Sequence, residues 1–332
     1  MKQTLKEKAK TLPDLPGVYL MKDSEGTVIY VGKSKQLRRR VSSYFGSDKG
    51  QSSKVKKLVR HIKSIEYEVV DTELDALLRE CTLIKELKPI YNRLLKEDKK
   101  YCYIVVNKEE ALPRARLAYE KGKEGIYFGP YDRKQSLEEA IEAINLYYGW
   151  PTCKEVVEKE GCLSFLRGRC LGFCEQEVAR QVLASHLQDM FDFLRGKHQK
   201  VLNFYKMKME KAANQLEFEE AAQYRNIIGS LKALNFKKEA IAYGLSRQKG
   251  LLFVPKPLGG IKVYGLLGTT ILFTEHVFRK EVTSFLREKL QQNTTKPRKQ
   301  FTKQEIDEVY IIYSYLRNTD KCTYISWKEK EL

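Results

Sequence analysis

The sequence predicts an α+β protein assembled from several small units, and three observations carry that prediction. Short strand patterns and amphipathic helix patterns alternate within the first 98 residues. The same mixture returns between residues 99 and 150 and again after residue 239, so neither class dominates. Between them, from about 177 to 237, the pattern is helical. The length, 332 residues, suits roughly two domains. With 42% hydrophobic and 31% charged residues the composition is globular rather than disordered. The first thirty residues hold no apolar core of signal-peptide length and no run of about 18 apolar residues occurs, so a cytoplasmic protein with no membrane partner is expected.

The elements follow in order. GVYLMK at 17–22 and TVIYVG at 27–32 are strands joined by the turn-forming DSEG, which makes a hairpin. Leu37 to Phe45 reads as a helix, and 54–63 as a second one with Val55, Leu58, Val59 and Ile62 on one stripe. A third strand at 65–70 leads into Asp71 or Thr72 as N-cap of a helix from Glu73 to Leu87, which Pro89 ends. Strands at 101–106, 114–119 and 125–128 and a helix over 134–148 form a second unit. A cysteine-rich stretch and two antiparallel helices turning near Leu216 to Glu219 come next. The tail holds strand patterns LLFVP, IKVYGLL and TILFTEHVF, helix patterns EVTSFLREKL and QEIDEVYIIYSYLR, and a polar linker at 291–303. The expected units are therefore 12–98, 99–150, 151–200, 202–238 and 239–332, the last with no assigned role.

Sixty-one Lys and Arg against 43 Asp and Glu leave a net charge of +18, the profile of a polyanion binder. Residues 33 to 63 concentrate it, with eleven cations against one acid. Lys35, Arg38, Arg39, Lys54, Lys56, Lys57 and Arg60 are candidates for phosphate contacts, a solvated helix face being the alternative. Tyr19 and Tyr30 lie one on each hairpin strand, Lys33 follows the second, and Arg40 and Tyr44 are four apart on the next helix, so that all five can converge on one phosphate. Glu80 has Ala76, Leu77, Leu83 and Ile84 as helical neighbours and is expected to point inward. A carboxylate there must be paired with Arg or Lys, or bind a divalent cation.

GVY at 17–19, IYVG at 29–32, Arg40, Glu80 and Asn92, in that order over about 75 residues, resemble the GIY-YIG nuclease module. Lys33, Tyr44 and the run LLRECTLIKELKPIYNRLL narrow the resemblance to the UvrC excinucleases, in the short single-nuclease layout of Cho. Val18 and Val31 stand where the motif's name has Ile. The resemblance implies a metal-dependent DNA endonuclease with Tyr30 as general base and Arg40 clamping the scissile phosphate. Tyr19 would orient the base, Tyr44 the phosphate and Asn92 the local fold. With one clustered carboxylate, a single Mg²⁺ (or Mn²⁺) on Glu80 is expected rather than a two-metal site. It further implies one cut 3′ to a bulky lesion in damaged double-stranded DNA, directed by UvrB. A non-catalytic DNA- and UvrB-binding adaptor and a stand-alone mobile-element nuclease are the rival readings.

Cys153, Cys162, Cys170 and Cys174 are spaced C-x8-C-x7-C-x3-C, close enough to ligate one metal centre. The segment is similar to the cysteine-rich region of UvrC, which implies an iron–sulfur cluster, with zinc or free thiols as alternatives. LEFEEAAQYR in the helical hairpin looks like the UVR motif, and Leu216, Phe218, Ala221, Ala222 and Arg225 would then dock onto UvrB; a plain helical linker is the alternative.

Overall fold

The computed structural model describes residues 4–46, 52–92, 101–110, 113–132, 134–150, 163–168, 170–172, 177–278, 283–318 and 320–327. Two compact units emerge, and the first is discontinuous in sequence: residues 1–98 together with 243–332 form one, and 99–242 the other.

The first unit begins with α1 (Leu5–Thr11), a short helix the sequence patterns did not mark, held by a capping box between Thr4 and Glu7. Then come β1 (Gly17–Lys22), β2 (Val28–Ser34), α2 (Leu37–Ser42) with a 3₁₀ turn at Ser43–Phe45, α3 (Ser53–His61), β3 (Ser64–Val69) and α4 (Glu73–Leu87). The strands make an antiparallel sheet in the order β2-β1-β3. Side chains alternate across it. Val18 and Val31 face α4 and pack on Ala76, Leu83 and Ile84. Tyr19, Met21 and Ile65 face the other way, into a core with Leu12, Leu37, Val41, Leu58 and Ile62. Thr72 caps α4 through a capping box with Asp75, and Lys88 in the left-handed region closes it before Pro89.

The rest of this unit is a sheet of order β10-β7-β8-β9, all pairs antiparallel, from β7 (Lys249–Pro255), β8 (Ile261–Leu267), β9 (Thr270–Val277) and β10 (Thr323–Trp327), with α10 (Thr283–Gln292) and α11 (Ile306–Leu316). Its strands follow period 2. Leu252, Val254, Tyr264 and Leu266 pack with Leu74 of α4 and with Ile312 and Tyr315 of α11, while Leu251, Phe253 and Val263 pack on Leu286 and Leu290 of α10. The last strand, like α1, has no counterpart in the sequence reading.

The second unit pairs a sheet of order β5-β4-β6, from β4 (Cys102–Val106), β5 (Arg116–Ala118) and β6 (Ile126–Tyr131), with helices α5 (Lys134–Tyr147), α7 (Glu177–Leu194), α8 (Lys200–Asn214) and α9 (Phe218–Gly244) around one core. A four-residue α6 (Leu163–Leu166) lies between α5 and α7. Between α8 and α9 the chain turns through Leu216, whose φ of 61° is left-handed. Hydrogen bonds from Leu216 N to Ala213 O and from Glu217 N to Ala212 O close α8 as a Schellman motif. The base of this hairpin is buried through Ile228, Leu231 and Leu234, whereas Leu216 and Phe218 at its tip are 72% and 67% exposed. None of the described helices is long and apolar enough to cross a membrane.

Candidate active site

The hairpin brings the tyrosines together by register. Tyr19 pairs with Gly32 and Met21 with Tyr30, so both phenols stand on the same face. Gly32 is required there: a Cβ would lie 2.4 Å from Cζ and Oη of Tyr19. Gly17 is equally confined, 2.3 Å from the Glu68 carbonyl oxygen. The 3₁₀ turn after α2 adds Tyr44, and the three ring centroids are 6.0 to 6.2 Å apart. The Tyr19 and Tyr44 hydroxyls are 2.8 Å apart and hydrogen-bonded, and the Arg40 guanidinium sits 5.2 Å from the Tyr44 ring centroid. Burial, then neighbouring Tyr44 and the charge of Glu80, raises the Tyr30 phenol above its ordinary value, and Arg40 opposes the rise. Burial first, and then Tyr44 and Tyr30, hold the Tyr19 phenol well above its ordinary value.

Glu80 emerges from α4 beside β2, where its Oε1 accepts the backbone N–H of Lys33 at 2.9 Å. Among the described residues it forms no salt bridge. Burial raises its pKa, against the Lys33 N–H and the positive charges of Lys33 and Arg40. The Lys33 ammonium is engaged elsewhere, 2.8 Å from Glu73. Lys33 thus serves the Glu80 carboxylate through its main chain, a role that its side-chain type does not announce.

Glu73, in the first turn of α4, is the residue that sequence reasoning missed. Its side chain is 11% exposed and accepts from Lys33, Lys35 at 3.1 Å, Lys321 at 3.2 Å and the Tyr315 hydroxyl at 3.3 Å. Burial alone would raise its pKa, but hydrogen bonds from Lys33, Lys35 and Lys321 and the Lys33 charge hold it at about 2. One signal was available: Glu73 precedes Glu80 by seven residues and so shares its helical stripe. An acid in a first turn also has an ordinary reason to be there, the helix dipole, which hides it.

Asn92 is buried and braces the free edge of β2. Its Oδ1 accepts the Val31 N–H at 2.9 Å and its Nδ2 donates to the Val31 carbonyl at 2.8 Å. Beside the tyrosines a cleft of about 490 Å³ is lined by Lys33, Lys35, Arg39 and Arg40 against the single carboxylate of Glu73. Of the other expected phosphate contacts, Arg38 commits its Nε to the Leu12 carbonyl at 2.7 Å. Lys56, Lys57 and Arg60 lie exposed along α3, with Leu58 buried on the opposite stripe, and Lys54 is half-buried at its start.

The structure therefore brings Tyr19, Tyr30, Lys33, Arg40, Tyr44, Glu80 and Asn92 around one end of β2. No cluster of three or more His, Cys, Asp or Glu that could hold a metal occurs among the described residues, so a cation here would rest on Glu80 and water. The donor chemistry fits a hard divalent ion: one carboxylate, in no ion pair among the described residues and oriented by a main-chain N–H. Cys153, Cys162 and Cys174 lie outside the described residues; Cys170 is buried, with the Gly172 N–H 3.3 Å from its Sγ.

Three family models match the chain: a UvrC-like GIY-YIG domain over residues 15–93, the middle domain of the UvrC/Cho excinucleases over 101–193, and the UvrB/UvrC motif over 199–234. The UvrABC system protein C of Acetivibrio thermocellus is 35% identical over 328 residues, covering 94% of this chain and 52% of that protein. That of Clostridium botulinum strain Hall is 40% identical over 243 residues, 71% of this chain and 39% of its own length. The chain thus spans about half the length of such relatives or less. The crystal structure of the GIY-YIG N-terminal endonuclease domain of Thermotoga maritima UvrC, bound to magnesium, is 37% identical, covers 28% of this chain and 99% of that domain, and superposes with a TM-score of 0.25.

Proposed function

The chain belongs to the UvrC family, and on that premise we propose that it is a metal-dependent DNA endonuclease of nucleotide excision repair. The observation that carries the reading is the state of Glu80: a half-buried carboxylate in no ion pair among the described residues, beside a buried phenol cluster and a guanidinium. Had Lys33 or Arg40 neutralised it, a purely structural role would suffice.

Each residue's part follows from its position. Arg40, steadied over the Tyr44 ring, offers two-pronged hydrogen bonding to the scissile phosphate. Lys33, Lys35 and Arg39 supply positive potential along the cleft. As general base Tyr30 must first release its own phenolic proton to solvent; burial keeps the phenol neutral in the free protein, and Arg40 together with a cation on Glu80 would favour the phenolate that then takes the proton of the attacking water. Tyr19, buried and bonded to Tyr44, fixes the cluster, while Asn92 fixes the strand edge that presents Lys33 N to Glu80. A divalent cation on Glu80, Mg²⁺ by preference for hard oxygen donors, would supply charge neutralisation for the phosphoryl and leaving oxygens.

The finer reading places the cut 3′ to a bulky lesion in duplex DNA and assigns its direction to UvrB, bound through the exposed tip of the α8–α9 hairpin. Leu216 and Phe218 with Ala221, Ala222 and Arg225 would form that contact, the two large apolar side chains being solvent-exposed where an unpartnered hairpin would bury them. It also places the protein in the cytoplasm and gives Cys153, Cys162, Cys170 and Cys174 an iron–sulfur cluster. A brown anaerobic preparation with iron and sulfide supports the cluster; stoichiometric zinc in colourless protein overturns it.

The deciding experiment is nicking of lesion-bearing duplex by the full chain with UvrA and UvrB, comparing the parent with Glu80→Ala. Cutting that requires Mg²⁺ and Glu80, with DNA binding retained in the variant, supports the endonuclease. Absence of cutting in every mixture, with UvrB still bound, supports the adaptor instead.

A further inference from the structure

Residues 243–332 have no part in the chemistry just described, yet they reach Glu73, a residue that lines the cleft. The Glu73 side chain is mostly buried, so its charge needs partners. Two of its partners, Lys33 and Lys35, come from the end of β2 and the turn after it; the other two, Tyr315 of α11 and Lys321 just before β10, come from the C-terminal segment.

We propose that Tyr315 and Lys321 are positioning residues of the nuclease, acting through Glu73 on Lys33 and Lys35, so that the C-terminal segment completes the cleft. The inference rests on reading that cleft as a nuclease. Its basis is a contrast in stiffness. The Tyr315 ring is 5% exposed and locked in the apolar cluster with Leu74, Leu252 and Ile312, and the Lys321 ammonium lies 5.6 Å from its centroid. Tyr315 holds the carboxylate from a rigid side, and Lys321, itself on a flexible stem and 37% exposed, is steadied over that ring. Lys33 and Lys35 reach it on long, flexible stems, which would otherwise sample many rotamers. Three ammonium groups on one carboxylate leave a local charge of +2, so the tether orders the lysines without cancelling the potential that attracts phosphate.

Attachment of the C-terminal segment does not depend on this contact. Lys262 pairs with Asp71 at 2.9 Å and Asp75 at 3.1 Å, and Tyr264 donates to Asp75 at 2.9 Å. At the other end of α4, Lys85 pairs with Asp307 at 3.1 Å. A variant at Lys321 therefore perturbs the tether and leaves the segment docked.

In the nicking assay with the full chain, Lys321→Ala is expected to lower kcat about tenfold with KM for DNA and Tm nearly unchanged, and Lys321→Arg to restore most of the rate. Glu73→Gln should cost at least as much, and the double variant Glu73→Gln/Lys321→Ala no more than Glu73→Gln alone, since the second residue acts through the first. A reading without turnover is amine labelling of Lys33 and Lys35, followed peptide by peptide: it should quicken in both single variants. Parental kcat and parental labelling in Lys321→Ala overturn the inference, as does an additive double variant or a loss that Arg does not restore. Failure of the nuclease reading is separate: no mixture would then cut, the parent included, while the labelling result stands or falls by itself.

Discussion

The first and third turns of α4 carry two glutamates on one stripe, and they have opposite fates. Glu73 gathers three ammonium groups and a hydroxyl and is held ionised, with a pKa of about 2. Glu80, seven residues on, is raised by burial and accepts a main-chain N–H, with no ion pair among the described residues. Residue type and helical phase are identical, so neither decides the role. The surroundings do: the turn after β2 and the C-terminal segment deliver their cations to the first turn, and the edge of β2 delivers only backbone to the third. A carboxylate saturated by protein cations organises the site; one left unpaired is available to a metal.

The strongest way to break this contrast is to remove the unpaired carboxylate. Glu80→Ala should cut Mg²⁺-dependent nicking by about 10³-fold or more while duplex affinity, measured by fluorescence anisotropy, stays near the parent's. Tyr30→Phe comes next, with a loss of about 10²- to 10⁴-fold in kcat if its phenol takes the proton. Residual activity in Tyr30→Phe with an unaltered pH profile would falsify that assignment.

Stability against pH sharpens the comparison through its sign. The Glu73 pKa is depressed in the folded state, so its contribution is present above the unfolded carboxylate range near 4.5 and lost as pH falls towards 2. Glu80 is raised, so its ionised form opposes folding at neutral pH. Calorimetry should therefore find Glu73→Gln lowering Tm at pH 7 by a few degrees, with the deficit shrinking in acid, and Glu80→Gln raising Tm at pH 7. Equal shifts of one sign in the two variants would undo the distinction.

Smaller effects are expected where the neighbourhood, and not the carboxylates, is altered. Asn92→Ala removes two hydrogen bonds to Val31 and should destabilise by about 2 kcal/mol in urea unfolding, lowering kcat through the strand edge that holds Lys33 N. Tyr19→Phe loses the 2.8 Å bond to Tyr44 and the hydroxyl's hydrogen bond with Arg40, and about 1–2 kcal/mol is the expected cost, with nicking reduced less than in Tyr30→Phe.

Much of this was readable from local pattern. The hairpin, the helix from Glu73 to Leu87 with Thr72 as cap, the strands IKVYGLL and TILFTEHVF and the turn at Leu216 are where periodicity and turn chemistry put them. The phenols, Arg40, Glu80 and Asn92 were recognisable because their order and spacing form a resemblance. Less could be read of α1 and β10, which are short and gain their stability from what they pack against.

Periodicity, caps and motif spacing are properties of neighbouring residues, and they determined by themselves most of the strands and helices and, through a resemblance, the set of phenols, Arg40, Glu80 and Asn92. Tertiary structure alone decided that residues 243–332 share a unit with the first 98, that Lys33 contributes its N–H to one glutamate and its ammonium to another, and that Glu80 forms no ion pair among the described residues. The reason is physical: the partners of a buried charge are chosen by through-space distance and desolvation, and contacts such as Lys321 to Glu73, 248 positions apart, leave no trace in the pattern of either segment.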